Sequence, residues 1–379
     1  MKYKVKYTGL YEQYKSLSSD IHKEYEKIFK NSSFILREHV KDFEEKISKN
    51  LKVKYTVGLN SGTDAIFMAL AQLGLSKEDE VITTSHTYVA VVSAIIHVGA
   101  KPVFVDIQDD FNINPDLIEA KITKKTKAIL PVHLNGRCCN MRKINKIAKK
   151  YNLKIIEDAA QAFGSQFNGK YAGSFGASAA FSLHPMKNLS VPGDGGFLTT
   201  DQKKVYQCVS LLRDHGRYRK NNINREVFKS FGFNSRLDNI HAAVALIKLK
   251  KFKRWITQRR RIANTYHTNL KSIPEIKIPL FTNGIDKFYD TYNSYVIKTK
   301  KKDALKKFLL KNGIEVFSHI HTGIHREKYL KTKVGKWYLP KTDKIEKEII
   351  SLPIYPELTK HKQDYIIKKI KQFFLQWKL

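Results

Sequence analysis

Disulfides are the first device this sequence lacks. Its 379 residues hold three cysteines, Cys138, Cys139 and Cys208. That is too few for a disulfide framework, and adjacent Cys138 and Cys139 lack the spacing of metal ligands. Long hydrophobic runs are missing too: no stretch approaches the ~18 apolar residues that a membrane span needs. The opening residues, MKYKVKYTGLYEQYKS, are basic but have no apolar segment behind them, so no secretory signal is expected. Proline is scarce at 10 residues, whereas 42% of the chain is hydrophobic, with 21 Phe and 19 Tyr. A sizeable core is therefore expected and a disordered tail excluded. These features suit a soluble protein of a reducing, cytoplasmic compartment, long enough for two or three domain-sized units.

Acidic residues are also in short supply. Thirty-five Asp and Glu stand against 69 Lys and Arg, a formal net charge of +34. An excess of this size can mark nucleic acid or an anionic surface as a partner. Its distribution argues otherwise: +19 of it falls in residues 251–379 and the remainder before them, as single and paired lysines scattered among Asn and Ile. The charge reads as a solvated basic surface that favours anionic substrates. No nucleic-acid or membrane partner is expected.

What the chain does have is an alternation of short apolar strands and amphipathic helices over its first 250 residues. Tyr55–Leu59, Glu80–Thr83, Pro102–Ile107, Ala128–His133 and Lys154–Asp158 are nearly continuous in apolar character, as strands covered on both faces are. Between them, SGTDAIFMALAQLGL and TYVAVVSAIIHVGA repeat apolar residues at helical spacing, the second stopping at Gly99. Strand–helix–strand at this spacing predicts right-handed crossovers and a mostly parallel sheet. Ligands of such sheets lie beyond the carboxyl ends of the strands. A long helix is expected over Ser235–Leu270. A strand at NSYVIKT and helices at DALKKFLLKNG and DYIIKKIKQFFLQW follow it. The expected organisation is a large α/β domain over 1–250, with an N-terminal helical segment, and a smaller α+β domain over 251–379.

Four constellations follow predicted strands. Asn60-Ser61-Gly62-Thr63 opens a helix, where small residues expose backbone N–H groups to an anion, though an ordinary N-cap looks the same. In IIEDAAQ, strand alternation points Glu157 and Asp158 to opposite faces, so one of them can face a site. A carboxylate there suits a cationic ring nitrogen or a metal, and equally a helix cap or a structural ion pair. In FSLHPMKNL, Lys187 lies between a hydroxyl-bearing strand end and the Gly193–Gly196 turn, a setting where desolvation can leave an amine nucleophilic and basic. The fourth, Gly232-Phe233-Asn234-Ser235-Arg236-Leu237-Asp238, opens the long helix.

In this order SGTDA, EDAAQAFGS, FSLHPMKNL…GDGG and GFNSRLDNIHAA resemble the DegT/DnrJ (StrS-type) family of pyridoxal-phosphate-dependent nucleotide-sugar aminotransferases. FILREHVKDFEEKIS, KPVFVDIQDDFNINPDLIEAKITKKTKAILPVHLNG and SLPIYPELT sit where that family has similar segments, so the likeness covers roughly residues 30–370. The resemblance implies fold type I, with a mostly parallel seven-stranded sheet, and a homodimer with shared active sites. It implies pyridoxal 5′-phosphate held by Lys187 as a Schiff base and the ring nitrogen kept protonated by Asp158. Gln161 would reach the ring hydroxyl and Tyr88 would stack on the ring. Gly62, Thr63 and Ser182 would bind the phosphate, and Asn234 would reach the same phosphate from the neighbouring subunit. The activity implied is amino transfer from an amino acid, L-glutamate by family habit, to a keto nucleotide-sugar in ping-pong fashion.

Within the family, a lysine at 187 favours transamination over the branch that has histidine there and removes a hydroxyl. Three cysteines at these spacings cannot ligate the iron–sulfur cluster of a dehydrating branch. NLSVPGDGG, with Asp194, looks more like members acting at C3 of a dTDP-3-keto-6-deoxyhexose than like the C4 branch. His133, Arg213, His215, Arg217, Tyr218 and His319 are candidates for sugar or diphosphate contacts, the arginines because they bind diphosphate bidentately. For the arginine-rich loop, bare solvent exposure is the competing reading. His319, His321 and His325 read as loop residues near the substrate mouth rather than metal ligands. A pyridoxal-phosphate-binding regulator without turnover is the alternative of another class, although no DNA-reading module is visible.

Overall fold

A computed structural model describes residues 3–218, 227–281, 287–320 and 322–376. Two helices, α1 (Leu10–Lys30) and α2 (Glu38–Leu51), precede the first strand, β1 (Tyr55–Leu59). The α2 residues Val40, Phe43, Ile47 and Leu51 recur at helical spacing and are all buried. The helix stops at Lys52, whose φ of 56° reverses the chain into β1.

Six further strands complete the sheet: β2 (Glu80–Thr83), β3 (Lys101–Phe104), β4 (Thr126–Ile129), β5 (Lys154–Asp158), β6 (Ser178–Ser182) and β7 (Gly196–Thr200). Their order is β1-β7-β6-β5-β4-β2-β3, and β7 alone runs against the other six. One face is covered by α3 (Gly62–Ala71), α4 (Val89–His97) and α6 (Lys203–Leu212), which contribute Ile66, Leu70, Val91, Ile95 and Val209 to a continuous core. The other is covered by α2, α5 (Met141–Lys150) and the first half of α7 (Asn239–Leu270). Apolar residues on both faces of the central strands follow from this double cover.

Helix α7 begins four residues later than the sequence pattern predicts. Asn234 and Asp238 are extended, bridged to Asp214 and Ile35, so the chain enters the helix only at Asn239. Its second half carries Ile262, Ala263, Tyr266 and Leu270 into a separate core. There β8 (Tyr295–Lys298) pairs antiparallel with β9 (Ile349–Leu352), flanked by α8 (Lys302–Lys311) and α11 (Lys360–Gln376), whereas α9 (Lys328–Val334) packs Val334 against Val92 and Phe104 and α10 (Pro340–Ile345) carries Ile345 into the core beneath α3 and α4. Position 250 thus lies inside α7. Val5 belongs to this C-terminal core by contact, through a parallel bridge to Ile314. Among the described residues no helix is long and apolar enough to cross a membrane.

Candidate active site

A cavity of about 730 Å³ opens at the carboxyl ends of β1, β2, β5 and β6. Its floor is built by close backbone approach. A Cβ on Gly62 would meet Ser182 Cβ at 2.7 Å, and one on Gly196 would meet the Ser61 carbonyl carbon at 2.3 Å, so only glycine lets α3 start this close to β6 and β7. Ser61 caps the helix, its Oγ accepting from Asp64 N–H at 3.0 Å. The N–H groups of Gly62 and Thr63 come before the first intrahelical bond and face the cavity with the positive end of the helix behind them. Ser235 braces this start by donating to Asp64 Oδ2 at 2.6 Å. Such a cradle fits an anion.

Lys187 stands across the floor, in a turn where its N–H bonds His184 C=O at 2.8 Å. Burial pushes its amine below the ordinary lysine value, and the charge of Asp158 acts the other way. Asp158, the last residue of β5, is 6% exposed and its Oδ1 accepts from Ala160 N–H at 3.0 Å. Burial raises its carboxyl above the usual range, opposed by that bond and by Lys187 and His133. A cation brought against Asp158 would offset the cost of burying its charge. Gln161 accepts from Asn135 N–H through Oε1 at 2.9 Å, which turns its NH₂ end toward the cavity as a donor. Tyr88 is the N-cap of α4 and 68% exposed at the cavity wall, not a core aromatic.

Strand alternation does separate the two carboxylates. Glu157 is fully buried behind the sheet, where its oxygens accept from Gly173, Phe175 and Gly176 N–H at 2.7–2.8 Å. Replacing Glu157 with alanine strands those three donors, and a loss of about 3–5 kcal/mol in urea unfolding is expected.

Two expected contacts, those of His133 and Arg213, need correction. His133 is sealed from the cavity: Nε2 lies 2.9 Å from Glu157 Oε2 and Nδ1 accepts from Cys139 N–H at 3.0 Å, so the ring has no edge for a sugar. Arg213 ties α2 to β1, bonding Glu44 and the Gly58 carbonyl. His215 is exposed in a left-handed turn at φ 60°, and Tyr218 lies under Lys229, whose Nζ is 3.8 Å from the ring centroid. Neither lines the cavity of its own chain. Asn234 is likewise exposed outside it. His319 does line the cavity, with Nε2 2.7 Å from Tyr7 Oη; burial and then Lys187 push its ring down to about 4. His325 lies apart from it, hydrogen-bonded to Ser85 and Asp343, while His321 lies outside the described residues. Tyr7, Thr87, Asn293 and Ser294 also line the cavity and were not singled out in the sequence. Tyr7, Asn293 and Ser294 arrive from segments packed with the C-terminal core, which no local pattern connects to the strand ends.

A desolvated lysine facing a buried aspartate, beneath a helix N-terminus and an aromatic wall, defines a site for a flat, anionic carbonyl cofactor. The comparisons agree. The model of the DegT/DnrJ/EryC1/StrS aminotransferase family matches residues 15–371, and the chain belongs to that family. A pleiotropic regulatory protein of Geobacillus stearothermophilus is 38% identical over 96% of this chain and 97% of its own. The dTDP-3-amino-3,6-dideoxy-alpha-D-galactopyranose transaminase of Aneurinibacillus thermoaerophilus is 36% identical over 92% and 93%. Among solved structures, S. venezuelae DesV superposes with a TM-score of 0.92 at 30% identity, covering 98% of both chains. NtdA of Bacillus subtilis, with bound cofactor PMP, gives 0.86 at 29% identity, over 95% and 82%. The protein is an aminotransferase of the pyridoxal 5′-phosphate-dependent, sugar-modifying kind.

Proposed function

We propose that the chain moves an amino group from L-glutamate to C3 of a dTDP-3-keto-6-deoxyhexose, giving an aminosugar for surface glycan or related synthesis. The observation that carries the reading is Lys187 facing Asp158 across one cavity, both strained by burial. Asp194 lines the same cavity, and the relative from Aneurinibacillus is named for a dTDP-3-amino sugar. Bound pyridoxal phosphate supplies an electron sink that stabilises negative charge at the carbon losing its proton.

The protein's residues do the rest. Gly62, Thr63 and Ser182 hold the phosphate, and Asn234 reaches it from a second copy, making a homodimer with shared sites. Tyr88 covers one ring face, Gln161 donates to the ring hydroxyl, and Asp158 keeps the ring nitrogen protonated. Lys187 would anchor the cofactor, and its free amine would act as the general base that takes the proton off the donor Cα. It returns a proton to the sugar carbon in the second half-reaction, which makes the kinetics ping-pong. We assign the large unit to residues 1–250, the small one to 251–379, and the whole to the cytoplasm.

L-Glutamate should bleach the visible band of the cofactor-bound protein, and a dTDP-3-ketosugar should restore it at least ~10-fold faster than a 4-ketosugar, a difference of about 1.4 kcal/mol in barrier. Faster recovery with the 4-ketosugar would move the reaction to C4. The relative named as a pleiotropic regulatory protein supports a second reading, a cofactor-binding sensor. In that case the band forms but no amino donor changes it.

A further inference from the structure

Residues 323–326 lie against the loop that follows β2, and Ser85 is the point of contact. Ser85 C=O accepts from Ile324 N–H at 3.1 Å, and Ser85 Oγ accepts from His325 N–H at 3.1 Å. The same Oγ lies 2.6 Å from His325 Nδ1. Ser85 is 0% and His325 4% exposed. The far edge of the ring, Nε2, lies 3.1 Å from Asp343 Oδ1 on α10. That helix is fixed to the end of β3 by Asp106, which accepts from Lys341 N–H at 2.8 Å and from Thr342 N–H and Oγ1 at 2.9 and 2.6 Å. An unbroken run of hydrogen bonds therefore joins the end of β3, through α10 and His325, to the end of β2. It finishes two residues before Thr87 and three before Tyr88, both in the cavity wall.

Both ring nitrogens are engaged: Nδ1 against Ser85 Oγ, which also accepts from the His325 backbone, and Nε2 against Asp343. The other charges nearby are Arg326, 3.5 Å from Asp343 Oδ1 and 3.0 Å from Glu346 Oε1, and Glu346 itself, which accepts from Gly323 N–H at 2.6 Å.

We infer that His325 is a positioning residue of the active site: through Ser85 it holds the Thr87–Tyr88 wall in the orientation that receives the cofactor ring. The inference rests on Tyr88 being the residue over that ring. A merely structural latch would lower stability and leave cofactor binding alone, so the readouts are chosen to separate the two. They are the pyridoxal phosphate dissociation constant, the visible circular dichroism of the bound cofactor, and amide exchange at Thr87 and Tyr88 in the cofactor-free chain.

His325→Ala should weaken cofactor binding about 10-fold and speed that exchange by a similar factor, the size expected when a buried hydroxyl loses its partner. His325→Asn, which keeps a polar group near the place of Nδ1, should recover most of both. Ser85→Ala should match His325→Ala, and the double variant should be no worse than either, because the three act on one contact. Should His325→Ala fail to fold, Ser85→Ala carries the test. Unchanged exchange and cofactor affinity in Ser85→Ala, or additive losses in the double variant, would overturn the inference. Tyr88→Ala is measured alongside. If it leaves the dichroism intact, the placement of Tyr88 fails, while exchange at 87–88 still decides the role of His325.

Discussion

Lys187→Ala should cost on the order of 10⁴-fold or more in turnover and remove the visible band formed with pyridoxal phosphate. Three roles fall on this one amine: anchor, leaving group toward the donor, and base. The two histidines that share the cavity are otherwise engaged: His184 Nδ1 accepts from Met186 N–H at 3.3 Å and His319 is held by Tyr7. The physical basis is the low-dielectric seat, which lowers the amine below its ordinary value while Asp158 pulls the other way. Because deprotonation is favoured, capture of the cofactor should reach its plateau at a lower pH than a free lysine would allow. Stopped-flow absorbance against pH checks both points. A Lys187→Ala protein that still forms the band and transaminates would remove the reading built on this residue.

The sheet was legible because its strands are apolar on both faces. β1, β2 and β5 begin and end where the sequence pattern places them. β3 and β4 end earlier than their apolar runs: Val105–Ile107 and Leu130–His133 stay buried past the regular ladder, held by single bonds such as Val105 N–H to Thr83 C=O, Leu130 N–H to Ile82 C=O and His133 N–H to Asp158 C=O. Periodicity reports burial, and a strand end needs hydrogen-bond partners that the local sequence does not name. Lys187, Asp158 and the α3 start were legible for a related reason: strand–turn–helix punctuation marks the carboxyl edge of the sheet, where sites form.

Polar loop residues were not legible in the same way. His133 follows a strand and Arg213 ends a helix, yet Glu157 and Glu44, far off in sequence, take them into the framework. The partner, not the residue type, decides between a ligand contact and a brace. Tyr7 shows the converse. Its surroundings in MKYKVKYTGL carry no signal, and it reaches the cavity only because Val5 pairs with Ile314 and Tyr7 N–H donates to Glu315 Oε2 at 2.7 Å. The basic charge belongs to neither group, being spread over surface lysines.

Asp158→Asn is the change that separates chemistry from architecture at this site. Asparagine keeps an oxygen for the Ala160 N–H, so the turn after β5 is preserved. It loses the negative charge that would hold a ring nitrogen protonated, and turnover should fall on the order of 10³-fold, the scale seen when one preorganised electrostatic partner is removed. Stability should move the other way in the cofactor-free chain. Burial raises the Asp158 carboxyl, so the folded state binds its proton more tightly than the unfolded state does. Stability is therefore lost as pH rises through the interval between the ordinary carboxylate value and the raised one, and the neutral isostere escapes that loss. Urea unfolding near neutral pH should show the cofactor-free Asp158→Asn protein at least as stable as the parent, with the difference closing as pH falls. Added pyridoxal phosphate should reverse the ranking, because only the parent has a carboxylate to pair with the ring cation. A variant destabilised both with and without cofactor would make Asp158 a framework residue instead. One that keeps full turnover would deny it any part in the reaction.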